Sequence, residues 1–253
     1  VTALDVRELH TMEDLDTISR LYAEIWGTAA DSPPVSAEVM RALSHAGNYV
    51  AGAYEQGHLV GASVGFYGDP VGTTLHSHIT GASQGRGIGL ALKLHQRRWA
   101  LDRGLKRITW TYDPLIRRNA YFNLVKLGAR PEEYLRSFYG AMDDAINGGD
   151  ESDRVLTAWD LAAPAGPYTF DLPADTAHGV RDHGGRPAVV PSDARTVLID
   201  LPDDIESLRR TDPGAAREWR LAVRHVLSGL LAEGARVTGF HERRSYVVHR
   251  TTP

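Results

Sequence analysis

The passage that most constrains this chain is Leu75-His76-Ser77-His78-Ile79-Thr80-Gly81-Ala82-Ser83-Gln84-Gly85-Arg86-Gly87-Ile88-Gly89-Leu90. Residues 73–81 read as an extended run that feeds a glycine-rich turn, and the turn opens a helix. Ile88, Ala91, Leu92, His95 and Trp99 share one face of that helix, Lys93, Gln96, Arg97 and Arg98 lie elsewhere on it, and Gly104 ends it. The first N–H groups of such a helix have no intrahelical partner, and with the helix dipole they form a site for a diphosphate wherever side chains leave room. Gly85, Gly87 and Gly89 leave that room. A turn whose glycines serve backbone geometry alone fits the same residues. Two nucleotide readings fail. A P-loop needs Gly-Lys-Ser/Thr where Gly89 is followed by Leu90-Ala91, and a dinucleotide fingerprint begun at Gly85 needs glycine where Leu90 stands.

The rest of the first 160 residues alternates strand-like and helix-like patterns. Leu4, Val6 and Leu9 suggest an opening strand. Thr11 and Asp14 offer a cap for a helix whose stripe is Leu15, Ile18, Tyr22 and Ile25, and Pro33-Pro34 with Ser36 introduce a shorter helix to about His45. Residues 49–54 and 59–67 read as a hairpin. Strands are predicted at 107–112, 134–139 and 155–161, a helix at 119–127, and an acidic loop at 143–153. From 162 to 195, prolines and glycines predict irregular chain, a linker or a strap. A smaller unit follows: a strand at 196–201, a short helix marked by Ile205 and Leu208, a long helix from Pro213 capped by Asp212, and strands at 237–240 and 246–248. The expected domains are 1–161, the strap 162–195, and the β-α-α-β-β extension 196–253.

Among the 253 residues, 28 Lys and Arg against 32 Asp and Glu argue against a nucleic-acid partner held by bulk charge. The absence of cysteine excludes disulfides, thiolate nucleophiles and Cys-ligated metals. No apolar run approaches the roughly 20 residues of a membrane helix, and no signal-peptide core opens the chain, so a cytoplasmic protein without a membrane partner is the expectation.

Gln84-Gly85-Arg86-Gly87-Ile88-Gly89 matches Q/R-x-x-G-x-G/A, and through this motif the chain resembles the GNAT N-acetyltransferase superfamily, which binds acyl-CoA pyrophosphate there. The resemblance extends to about residue 161, through the order β-α-α-β-β-β-loop-α-β-α-β-β and the stretch from Asn119-Ala120 to Lys126-Leu127-Gly128. It implies an α/β (α+β) fold with a mixed, mostly antiparallel central sheet flanked by helices. It also implies that strand 73–81 splays from strand 107–112 to admit pantetheine. Ile79 and Gly81 would pair with that arm, and the amides of Gln84, Gly85, Arg86, Gly87, Ile88, Gly89 and Leu90 would line the pyrophosphate site. Asn119 and Asn123 would meet pantetheine amides, although Asn119 equally suits a helix cap. Lys126, or Arg97, would reach the 3′-phosphate.

Acyl transfer to an amine needs a base, an oxyanion donor and a proton for the thiolate. By analogy, a backbone N–H near Ile79 or Thr80 is the oxyanion donor. His78 and then His76, two apart on one strand and so on one face, are the candidate bases. The family's tyrosine acid has Leu124 in its place here, which leaves Tyr121, Tyr112 or water as substitutes. The same positions admit packed histidines without a role, and no metal site is expected. Arg217, Arg220 and Arg224 form a basic stripe that suits a substrate carboxylate, an acidic segment or, most simply, solvent. His178, Asp182 and His183 read as loop residues.

The function expected is N-acyl transfer, with acetyl-CoA as co-substrate, to the amine of a small molecule or amino acid. The alternatives are a non-catalytic acyl-CoA-binding or regulatory module, an N-succinyltransferase whose donor carboxylate meets Arg117 or Arg118, and a protein-lysine acetyltransferase. A homodimer is left open.

Overall fold

The computed structural model describes residues 4–29, 32–83, 87–140, 150–164 and 172–251. They gather into two compact units. One comprises the described residues through Trp110 with Asp160–Ala162, the other Thr111–Trp159 with the described residues from Ala163 onward.

The first unit runs β1 (Asp5–Glu8), α1 (Met12–Trp26), α2 (Ala37–His45), β2 (Tyr49–Glu55), β3 (His58–Gly68), β4 (Thr74–Ala82), α3 (Ile88–Asp102) and β5 (Arg107–Tyr112), whose last two residues belong to the second unit. Its strands lie in the order β1-β2-β3-β4-β5, antiparallel except for the parallel β4–β5 pair. Alternation along β3 divides the packing between two faces. Ala62 and Val64 join Leu15, Ile18 and Tyr22 of α1 and Met40 of α2 in one core, whereas Gly61 closely faces Ile88 and Gly65 faces Gln96, both on α3. The capping signals act as read: Thr11 accepts from the amide of Asp14, and Ser36 from that of Val39.

The second unit holds α4 (Arg117–Tyr121), a π-helical segment (Phe122–Leu127), the antiparallel pair β6 (Arg130–Leu135) and β7 (Arg154–Asp160), then β8 (Thr176–His183), β9 (Arg186–Val189), β10 (Thr196–Asp200), α5 (Ile205–Thr211), α6 (Pro213–Ala232), β11 (Arg236–His241) and β12 (Ser245–His249). Its five-stranded sheet has the order β11-β12-β10-β8-β9, with only β8 and β10 parallel. Asp212 caps α6 through the amide of Ala215, and Pro213 opens the helix.

Several expectations change. The strap is in part a β-hairpin, because Gly184 and Gly185 both adopt positive φ and form the tight turn between β8 and β9. His178, Asp182 and His183 are therefore strand residues, and the extension gains two strands before β10. The strand expected at 134–139 lies at Arg130–Leu135; Asp153 accepts from Tyr134 and from the amide of Ser137, which fixes residues 136–139 as a turn. The helix expected at 119–127 begins two residues earlier, with Ile116 at the N-cap, and turns π-helical at Phe122, so Asn119 is not its cap. No described helix is long and apolar enough to cross a membrane.

Candidate functional site

In the first unit, β4 and β5 pair in three rows only: Thr74 with Arg107, Leu75 with Ile108 and His76 with Thr109. Opposite β3, Ser77 faces Gly65 and Ile79 faces Val64, so His78 is an extra residue in the strand. A bulge bends and twists the strand that carries it. Past the His76–Thr109 row, Ser77 to Ala82 have no β5 partner among the described residues, so the two strands part there.

The helix that follows, α3, begins at Gly87, whose φ of 73° suits glycine, and no side chain caps it. The amides of Ile88, Gly89 and Leu90 have no acceptor among the described residues; the first backbone bond of the helix runs from Ala91 to Gly87. A Cβ built at Gly87 or Gly89 meets nothing within 4 Å. Unclaimed donors, a positive dipole end and open space thus coincide, as a diphosphate requires. Gln84, Gly85 and Arg86 lie outside the described residues. Gly81 has another cause: a Cβ there would lie 2.7 Å from Trp26 of α1, so close helix packing dictates this glycine.

His76 and His78 both stand against Phe66, with ring centroids 5.3 and 5.7 Å away. Nδ1 of His76 lies 3.1 Å from the Thr109 hydroxyl. Burial, then the neighbouring His78 and Lys93, lower the pKa of His76 to about 4, and burial lowers that of the more exposed His78. Burial thus favours the free base of both rings. Ile79 packs against the α1 core.

On the other face lies a polar chain that the sequence reading missed. Lys93 is buried and donates to Ser77 Oγ (2.8 Å) and Gln96 Oε1 (3.3 Å). Gln96 donates to Ser63, which bonds Thr80 (2.8 Å). The Lys93 ammonium also sits 3.9 Å from the centroid of the Trp110 ring. Desolvation draws its pKa down to about 7. Ile88, Leu92, Gln96 and Trp99 do recur at helical spacing, but a stripe containing a glutamine and flanked by a lysine carries little apolar signal. Arg97 donates to the Leu161 carbonyl instead of standing free.

The remaining candidates belong to the second unit. Tyr112 is buried, and its hydroxyl accepts from Tyr246. Tyr121 accepts from Arg243. Asn123 and Leu124 are buried, Asn119 is half-buried and Lys126 exposed. Arg117 donates to Leu201 and Asp203, and Arg118 to Glu206. The basic stripe is largely not solvated. Arg220 is 1% exposed and clamps Asp113 and Asp150, while Arg224 pairs with Glu151 and Asp153. Arg209 joins the Asp113 and Asp150 carboxylates, leaving Arg217 as the exposed member.

No family model and no curated protein matches the chain. Solved structures do. An N-acetyltransferase from Staphylococcus aureus Mu50 is 17% identical with a TM-score of 0.52, covering 63% of this chain and 99% of that one. The structure of yncA from Salmonella typhimurium with its cofactor acetyl-CoA is 18% identical with a TM-score of 0.50, covering 66% and 99%. Both of those chains are matched over nearly their whole length, which shows that this chain has the fold of the GNAT acetyltransferases.

Proposed function

We propose that the chain is an N-acyltransferase that moves an acyl group, acetyl in the simplest case, from acyl-CoA to the amine of a small molecule or amino acid. The observation that carries this reading is the uncapped, glycine-lined start of α3 beside the parting of β4 from β5. The amides of Ile88, Gly89 and Leu90 hold the diphosphate, and the free edge of β4 from Ser77 to Ala82 bonds the pantetheine arm. His78, on the bulge, takes a proton from the incoming ammonium, directly or through water. His76, steadied by Thr109, accompanies it. The amine nitrogen attacks the thioester carbonyl, a backbone N–H near Ile79 or Thr80 meets the developing oxyanion, and the C–S bond breaks as the second proton shed by the nitrogen passes through water to the departing thiolate. A dicarboxylic acyl donor loses the support expected from Arg117 and Arg118, whose guanidiniums are engaged by Leu201, Asp203 and Glu206.

Gly89→Leu separates ligand binding from folding. A Cβ at 89 has open space and leucine suits a helix, so melting should be unchanged or raised. A side chain over the amides should weaken acetyl-CoA binding by about tenfold or more in calorimetry. Unchanged affinity would remove the diphosphate assignment. Tight binding without thiol release on a panel of amines would leave a non-catalytic acyl-CoA-binding module.

A further inference from the structure

Lys93 has no part in the reading above, yet it occupies the point on which that reading turns. Ser77 is the first residue of β4, and Trp110 the first of β5, beyond the last paired row of His76 with Thr109. The Nζ of Lys93 touches both: it donates to Ser77 Oγ at 2.8 Å and lies 3.9 Å from the Trp110 ring centroid. Its other bond goes to Gln96, so two acceptors and a ring face hold the amine. No carboxylate pairs with Lys93 among the described residues. Burying an amine without a countercharge costs stability that hydrophobic packing would not cost; one row earlier His76 ties β4 to β5 through Thr109, and Lys93 carries the tie to the first unpaired row.

The geometry points to Lys93 as a positioning residue that braces the parting of β4 and β5, fixing the slot that receives the pantetheine arm. This inference rests on the acyl-CoA reading and adds the residue that sets the slot. The nucleotide end is held elsewhere, at the α3 amides, so the two ends of the ligand respond separately. Gln96 extends the brace through Ser63 to Thr80, on the far side of the bulge, which makes the chain continuous from one end of the bulge to the other.

The test is calorimetry with two probes, acetyl-CoA and 3′,5′-ADP, on the wild type, Lys93→Met, Lys93→Arg and Ser77→Ala, with melting curves for each. Lys93→Met should weaken acetyl-CoA by about tenfold or more while 3′,5′-ADP stays within about twofold. Lys93→Arg should recover part of the loss by restoring a cation over Trp110, seen also as a Trp110-dependent change in fluorescence that Trp110→Phe abolishes. Ser77→Ala removes only the tie to β4 and should show the same split between probes, which keeps the test open if Lys93→Met fails to fold. Equal weakening of both probes, or of neither, would overturn the brace. Failure of the wild type to bind either probe would instead overturn the acyl-CoA reading, and the brace with it.

Discussion

Asp113 shows how a single side chain can be held charged inside a fold. Burial would raise its pKa, but the guanidinium of Arg220, then those of Arg209 and Arg154, outweigh this and hold the carboxyl well below the usual carboxylate range. Asp113→Asn leaves Arg209 and Arg220 short of countercharge, and urea titration should show a loss of about 3–5 kcal/mol. Because the native pKa is depressed, this stability is present above the ordinary carboxylate value and fades as pH falls below it, so the variant should also have a shallower acid limb. Lys93 works in the opposite direction. Its native pKa of about 7 lies below the ordinary 10.5, so between these values only the unfolded chain binds the proton and stability rises with pH. At about 1.4 kcal/mol per unit the rise amounts to a few kcal/mol, and Lys93→Met should flatten it in denaturant titrations compared at about pH 7 and pH 9.5. His78→Gln should lower kcat by about a hundredfold, and the acid limb of the wild-type profile should fall below the ordinary histidine value, since burial lowers the pKa of both rings. Wild-type kinetics in the variant would remove His78 as the base.

At the scale of elements, local chemistry was readable where one residue decides one bond. Thr11, Ser36 and Asp212 begin helices as their hydroxyl or carboxylate acceptors dictate. The hairpin of β2 and β3 and the glycine-opened α3 follow from alternation and turn chemistry. Elements were misread where a polar residue is buried or where glycines have two meanings. Gly184-Gly185 suits linker composition and a hairpin turn alike, and the fold uses it as the turn. Arg220 and Arg224 looked like a solvated stripe because helical spacing shows which face a residue occupies and not what approaches that face. The bulge at His78 has no spacing signal of its own, since a strand with one extra residue still reads as a strand. Gly81→Ala tests the packing account of β4: its Cβ would meet Trp26 at 2.7 Å, and a loss of about 1–3 kcal/mol in thermal melting is expected.

For the whole molecule, one compact unit holds the described residues through Trp110 with Asp160–Ala162, and the other holds the rest. Within the second unit, Asp113 is bound by Arg209 and Arg220, and Tyr112 by Tyr246, each pairing residues about a hundred or more positions apart. A fragment ending at residue 161 deprives Asp113 and Tyr112 of these partners, and it should melt well below the full chain or remain insoluble. Cooperative melting of that fragment at the full-chain temperature would make 1–161 an independent domain. The sequence by itself determined what depends on neighbours along the chain: the caps, the strand and helix periods, and the glycines that free the α3 amides. Only the tertiary structure decided which charges are buried and against what. A lysine on Trp110 and an aspartate between two arginines are energetically defined by groups distant in sequence, and desolvation acts on a side chain only once the fold has removed its water.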